Sequence, residues 1–348
     1  MALHFIRRCW LTLLLLTLAG CDSGQTAPPH SLVLEGKTMG TFWRVSLAGV
    51  DPSEAGPLRK KIQAQLDDDD RLMSTWKSDS ALSRFNQYTG TEPYPVSEAM
   101  SDIVTMALRI GAKTDNAMDI TVGPLVNLWG FGPHKAPTKT PDDQQIAAAK
   151  ALTGLQHLRV INASGQQWLQ KDLANLSVDL STIGEGYATD HLARLMEQNG
   201  ISRYLVSVGG AVVTRGMSPK DSPWRVAIQK PTDTENAVQA LVDINGHGIS
   251  TSGSYLNYYE LDGKRISHII DPNTGHPIDH KLVSVTVIAP TAMEADGWDT
   301  GLMVLGEEKA RRVAEKQGLA VYFISKDGKG FRTWMSPQFK SFLLEEEK

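Results

Sequence analysis

Asp179-Leu-Ser-Thr-Ile-Gly-Glu-Gly-Tyr-Ala-Thr-Asp190 is the stretch whose reading decides the fold. Upstream of its turn, Leu176, Val178 and Leu180 alternate with polar residues and predict a strand. Ser181 to Gly186 form the turn, and Tyr187, Leu192, Leu195 and Met196 then fall roughly on one helical face. A strand that ends in small residues and feeds a helix leaves backbone amides free at the helix N-terminus, which suits an anion and phosphate above all. Asp179 and Glu185 flank the turn, so a phosphate there has to come with a cation or with other polar groups. The same glycines also serve as a plain strand-to-helix turn, and this stretch alone leaves both readings open.

On the N-terminal side, alternation predicts strands at Leu32–Leu34 and Thr41–Leu47. Gly36-Lys37-Thr38 has the end of a phosphate-binding loop, but Ser31 stands where its first glycine belongs, so that motif is rejected. Leu58, Ile62, Leu66 and Met73 predict a helix across 53–76. The Asp67–Asp70 run within it lacks the alternation and the glycine of a calcium loop and reads as solvated helix surface. Ser97 is a candidate N-cap for a second helix carrying Met100, Ile103, Val104, Ala107 and Ile110. Residues 115–133 are irregular and rich in Gly, Pro and large apolar side chains, the make-up of a pocket-lining loop. A helix at 142–152 and short strands near 158–161 and 168–170 follow.

Beyond the opening stretch, strands are expected at 204–208, 224–228, 238–244, 247–252, 255–261, 265–270 and 282–289. Helices follow at 291–305 and 307–317, then strands at 319–325 and 330–334. Runs of antiparallel-looking strands with separate helices place the chain in the α+β class, with antiparallel-rich sheets and packed helices, and not among doubly wound sheets.

The 348 residues carry a formal charge of −4 and are 41% hydrophobic, an ordinary globular composition with nothing of a nucleic-acid binder. Arg7 and Arg8, an apolar run from Trp10 to Leu18, and Leu18-Ala19-Gly20-Cys21 together read as a lipoprotein signal over 1–20. Lipidated Cys21 then heads a polar, proline-bearing tether over 21–31, and residues 32–348 form the catalytic domain, with room for two subdomains. Cys9 leaves with the signal, so no disulfide or catalytic thiol remains in one chain. Losing Arg7 and Arg8 takes the formal charge to −6. Asp22 after the lipidated cysteine resembles an inner-membrane retention signal, which places the protein at the inner membrane, facing the periplasm.

Chemistry concentrates in two further stretches. In Pro290-Thr-Ala-Met-Glu-Ala-Asp-Gly-Trp-Asp-Thr-Gly-Leu302, Asp296, Asp299 and Thr300 sit at i, i+3 and i+4 of a helix and share one side. Two carboxylates and a hydroxyl match a hard cation such as Mg²⁺, and Trp298, Leu302 and Met303 predict burial around them. The second is Ser250-Thr-Ser-Gly-Ser-Tyr255 with Ser267-His-Ile-Ile-Asp-Pro-Asn-Thr-Gly-His-Pro277. Gly248-Ile-Ser-Thr-Ser252 falls short of a nucleophile elbow because its closing glycine is missing. No arrangement of the nine histidines gives a His-Glu-x-x-His or another complete zinc-site spacing. His268 ends a predicted strand beside an Asp-Pro turn, where an imidazole serves as general base on a hydroxyl or as a structural partner of the turn. His276 and His280 are assigned to the surface.

Five motifs in order resemble one family, the FAD:protein FMN transferases, also called thiamine-biosynthesis lipoproteins. They are Ala117-Met-Asp-Ile-Thr-Val-Gly-Pro, Asp179-Leu-Ser-Thr-Ile-Gly-Glu-Gly-Tyr-Ala, Ile249-Ser-Thr-Ser-Gly-Ser, His268-Ile-Ile-Asp-Pro-Asn-Thr-Gly-His-Pro and Ala295-Asp-Gly-Trp-Asp-Thr. The resemblance runs from Thr38 to the end of the chain and implies a T-fold-like flavin transferase architecture. It also implies the reaction: FAD is cleaved at its pyrophosphate, FMN is esterified through phosphate to a protein threonine, and AMP leaves. By the same resemblance Met39, Trp76, Ala117, Met118, Asp119, Asp179, Glu185 and Ile270 contact FAD. Asp296, Asp299, Thr300 and the backbone oxygen of Thr182 hold Mg²⁺, and His268 helps deprotonate the acceptor threonine. The acceptor implied is a respiratory or electron-transfer membrane subunit with a Ser/Thr-rich motif. The chain departs from the family pattern in carrying Glu185 where many members have lysine and Trp76 where tyrosine is common. A carboxylate at 185 suits adenine, ribose or indirect contact better than phosphate. Two other classes share these residues: a Mg²⁺-dependent FAD pyrophosphatase, with water as acceptor, and a non-catalytic FAD-binding lipoprotein.

Overall fold

The computed structural model describes residues 30–132, 137–232, 237–255 and 258–344. The signal, Cys21 and most of the tether lie outside the described residues. Among the described residues no helix is long and apolar enough to cross a membrane.

The backbone of the fold is one eight-stranded sheet, every neighbour antiparallel. Its strands are β1 (Ser31–Thr38), β2 (Thr41–Ala48), β3 (Tyr204–Val208), β4 (Ala211–Arg215), β5 (Gly248–Gly253), β6 (Leu282–Ala289), β7 (Ala320–Asp327) and β8 (Gly330–Met335). They lie side by side in chain order, so the sheet is a meander interrupted by insertions. The β1–β2 connection is a two-residue hairpin in which Met39 and Gly40 both have positive φ, 46° and 75°. Such turns match the twist of the strands they join. Glycine takes that conformation freely, whereas a methionine rarely does, and Met39 lines the larger cavity described below.

The helices are α1 (Ala55–Met73), α2 (Ala81–Gln87), α3 (Glu98–Lys113), α4 (Gly123–Leu128), α5 (Asp143–Lys150), α6 (Gly184–Gln198), α7 (Ala292–Leu305) and α8 (Glu307–Gln317). Ser97 caps α3 as its sequence predicts, its hydroxyl accepting from the Met100 N–H at 3.2 Å. α1 buries Leu58, Ile62, Leu66 and Met73, each worth about 1.5–3 kcal/mol of transfer free energy. β6 is buried along its whole length because both faces of the sheet are covered. Val285 and Val287 face the core built by α3 and α7, while Val283 and Ile288 face a second core closed by the 226–229/238–242 hairpin and Phe339. α7 is buried on nearly every side. Small residues make that possible: a Cβ on Gly297 would fall 2.6 Å from Ile110 and one on Gly301 3.0 Å from Met118.

Three expectations change. Leu176–Leu180 is extended but belongs to no sheet. Its apolar alternation is real, since Leu176, Val178 and Leu180 all enter the helical core, yet its backbone is satisfied by the Asn86 side chain and the Ile120 carbonyl instead of a ladder. Asp69, within the acidic run assigned to the surface, is 2% exposed and bonds His191 Nδ1 at 2.8 Å. It is the one aspartate of the four that the helical period turns inward. His280 is half-buried, and neither ring nitrogen has a hydrogen-bond partner among the described residues. His276 is exposed as expected.

Candidate active site

α7 carries the acidic pair into the protein. Asp296 is 7% exposed and Asp299 1%. Asp296 Oδ2 accepts from the Gly186 backbone N–H at 2.8 Å, and Ser250 Oγ approaches Asp296 Oδ1 at 3.5 Å. Thr300 Oγ1 lies 3.2 Å from Asp299 Oδ1 and 3.4 Å from Ser252 Oγ. Ser250 and Ser252 are two apart on β5, so both reach α7 from the same face of the sheet. This alternation is what the partial nucleophile-elbow pattern encodes: two oxygens lining the acids, not an attacking serine.

Burial pushes the Asp296 carboxyl up to about 8, with the nearby negative charge of Glu185 adding to it. Asp299 is driven well above the usual carboxylate range, first by burial and then by Asp296. Asp299 Oδ2 is buried and has no hydrogen-bond partner among the described residues. An orphaned carboxylate oxygen beside a second buried carboxylate is costly for a metal-free protein and is what a bound cation would relieve. Among the described residues no group of three His, Cys, Asp or Glu side chains is arranged for a metal. The donor set is therefore two carboxylates plus neutral oxygens, which fits Mg²⁺, an ion that keeps several waters and completes its shell with substrate phosphates. The Thr182 hydroxyl, in the turn entering α6, is also buried without a partner.

α6 and α7 are locked together at their N-termini. A Cβ on Gly186 would sit 2.3 Å from the Ala292 carbonyl oxygen, so only glycine permits this approach. Asp190, one turn further along α6, accepts from the Ala292 and Met293 N–H groups at 2.9 Å each and caps α7. Glu185 reaches away, accepting from the Gly210 N–H at 3.0 Å in the β3–β4 turn, and burial raises its carboxyl.

All the residues singled out for FAD except Met118 divide between two cavities. The larger, about 390 Å³, is lined by Met39, Trp76, Asp179, Ser181, Gly184 and Glu185 among others. Trp76 is 69% exposed at its mouth, a large apolar surface left uncovered. The smaller, about 80 Å³, brings together Ala117, Asp119, Ser252, His268, Ile270 and Thr300. Asp119 is fixed there by Thr121, whose N–H and hydroxyl both donate to Asp119 Oδ1 at 2.7 and 2.6 Å, and burial raises its carboxyl. His268 lies edge-on to Phe131, with ring centroids 6.3 Å apart. Met118 lines neither cavity: it is fully buried, its side chain packed against Gly297 and Gly301 of α7 and its carbonyl beside Gly111. Thr300 is the link between the parts: it is hydrogen-bonded to Asp299 and lines the chamber that holds His268.

A family model described as the ApbE family matches residues 39–323. The FAD:protein FMN transferase of Klebsiella pneumoniae (strain 342) is 75% identical over 333 residues, 95% of this chain and 95% of that protein. The FAD:protein FMN transferase of Escherichia coli (strain K12) is 70% identical over 336 residues, 95% and 96% of the two chains. The solved structure of the flavin transferase ApbE from Vibrio cholerae superposes with a TM-score of 0.83 at 41% identity, covering 91% of this chain and all of that one.

Proposed function

The chain belongs to the ApbE family, and from that membership we propose that it transfers FMN from FAD to a threonine hydroxyl of an acceptor protein, with Mg²⁺ bound and AMP released. The threonine oxygen forms a bond to the FMN phosphorus, the bond from that phosphorus to the bridging oxygen of AMP breaks, and AMP leaves with the bridging oxygen. His268 takes the hydroxyl proton, a role for which its place in the small chamber supports it. Asp296, Asp299, Thr300 and the Thr182 carbonyl would hold the metal. Mg²⁺, when bound, neutralises charge on the non-bridging phosphate oxygens and so lowers the cost of pyrophosphate cleavage. The protein's own groups do the rest. Met39, Trp76, Asp179 and Glu185 hold the larger part of FAD in the open cavity, and Ala117, Asp119 and Ile270 border the reacting end. The lipobox reading of residues 1–21 anchors the enzyme to the periplasmic face of the inner membrane, where a membrane subunit with a Ser/Thr-rich motif would meet it.

The observation that carries this reading is Thr300, which joins the orphaned acidic pair to the chamber containing His268. The test is incubation with FAD, Mg²⁺ and a threonine-bearing acceptor peptide, followed by mass spectrometry for covalent FMN. His268→Ala is expected to bind FAD normally while transferring on the order of 10²–10⁴-fold more slowly in a single turnover. AMP release without covalent FMN on the peptide would make the protein a hydrolase, and an unchanged single-turnover rate would remove His268 from the reaction.

A further inference from the structure

Lys171 ends the strand Gln166–Lys171 of a separate three-stranded sheet, and its side chain is 1% exposed. No carboxylate among the described residues pairs with it. Its ammonium instead donates to three backbone carbonyls, Leu176 at 2.9 Å, Asn86 at 3.2 Å and Phe85 at 3.3 Å, and sits 5.1 Å from the centre of the Phe85 ring. These carbonyls come from two places: the C-terminal turn of α2 and the start of the extended segment that leads to Asp179. Asn86 then continues the connection. Its amide nitrogen donates to the Val178 carbonyl at 2.8 Å, and its amide oxygen accepts the Val178 N–H at 2.7 Å. One side chain thereby supplies both hydrogen bonds that a neighbouring strand would give. The next residue, Asp179, donates its N–H to the Ile120 carbonyl at 2.7 Å, and its carboxylate accepts from Ser181 N–H at 2.9 Å. Asp179, Leu180 and Ser181 are one wall of the larger cavity.

A buried lysine held by carbonyls alone is expensive, and a strand partner would have satisfied this segment more simply. Neither residue is hydrogen-bonded to the Asp296–Asp299 pair, and neither lines the small chamber of His268. We propose that Lys171 and Asn86 are positioning residues that fix the Asp179–Ser181 wall of the flavin cavity by tying Leu176 and Val178 to the end of α2. The inference rests on the larger cavity being the FAD site.

The test uses Asn86→Asp, which keeps the shape and the acceptor for Val178 N–H but loses the donor to its carbonyl, and Lys171→Met, which removes the ammonium. In steady-state FMN transfer with the full chain, Asn86→Asp is expected to raise KM for FAD about tenfold, the effect of leaving one buried polar group unpaired, with kcat near wild type. Asp296, Asp299 and Thr300 stand on α7 and His268 on another loop. Of the assigned metal ligands only the Thr182 carbonyl adjoins this segment, and an unchanged Mg²⁺-induced rise in melting temperature shows that it is kept. A purely structural loss would reduce the amount of active enzyme, lowering kcat and leaving KM unchanged; that pattern overturns the proposal, as does an unchanged KM. Should Lys171→Met not fold, Asn86→Asp decides alone. FAD binding followed by flavin fluorescence separates this from the wider reading: wild-type chain that fails to bind FAD refutes the assigned cavity, whereas wild-type binding with an unshifted Asn86→Asp variant refutes only the positioning role.

Discussion

Replacing Asp299 by Asn tests the acidic pair directly, because the structure predicts opposite effects with and without metal. Asp299 is buried beside Asp296, and each carboxyl lies above the ordinary value of 3.8, Asp296 at about 8. A raised folded-state pKa means that the folded chain holds protons the unfolded chain has released. Metal-free stability therefore falls as pH rises from 3.8 through about 8, by at most about 1.4 kcal/mol per pH unit for each group. Asp299→Asn removes one of the two titrating carboxyls while keeping the shape. If mutual repulsion contributes even one pKa unit, the variant regains about 1.4 kcal/mol at pH 8, a rise of a few degrees in melting temperature. Metal reverses the order. At Mg²⁺ about 100-fold above its Kd the wild type gains about 2.7 kcal/mol, and Asp299→Asn should gain none. Because Mg²⁺ needs both carboxylates ionised, the wild-type shift should shrink as pH falls from 8 to 6. The assay is a set of thermal melts in EDTA and in Mg²⁺ at both pH values. An equal Mg²⁺ shift in the variant would refute the metal assignment, and a variant less stable than wild type in EDTA would refute the account of repulsion.

Two other substitutions separate the walls of the site from its core. Trp76→Ala, at the exposed mouth of the larger cavity, should weaken FAD binding about tenfold through loss of stacking and leave the melting temperature nearly unchanged, as titration by flavin fluorescence beside a thermal melt would show. Gly186→Ala would place a methyl 2.3 Å from the Ala292 carbonyl oxygen, so it should cost about 1–3 kcal/mol in denaturant unfolding and diminish the Mg²⁺-induced stabilisation, since the helices must part where Gly186 N–H meets Asp296.

Local spacing made the acidic face of α7 readable. Asp296, Asp299 and Thr300 are brought together by helical geometry alone, and the apolar residues around them announced their burial. The Ser97 cap was readable for the same reason: cap and target are three residues apart. What was not readable depends on partners far away in the chain. Nothing near Leu176–Leu180 distinguishes a ladder strand from a segment satisfied by Asn86, 92 residues upstream of Val178. Asp69 looks like its three acidic neighbours until His191, 122 residues away, is placed against it. Asp190 lies inside the helical pattern with no role marked by its neighbours, and its use as a cap of α7 depends on the packing of two helices. Ser250 and Ser252 did carry a signal, since two hydroxyls at period two on a strand share a face, yet what they face is set by the sheet order.

The turn from Ser181 to Gly186 shows how packing narrows a local reading. A helix N-terminus offers unpaired amides and a favourable dipole to any anion. Here the Gly186 N–H is already committed, and its anion is a side chain of the same protein, Asp296. That bond opposes the effects of burial and of Glu185, which both favour the protonated acid, and so helps Asp296 to ionise inside the protein. In the proposed reaction this amide at the positive end of α6 would act on a phosphate through an intermediary: it supports a carboxylate, the carboxylates would hold a cation, and the cation would draw the pyrophosphate. Glu185 is consistent with that arrangement. A lysine at this position could approach a phosphate directly, whereas a carboxylate bonded to Gly210 N–H leaves the attraction of phosphate to the cation site.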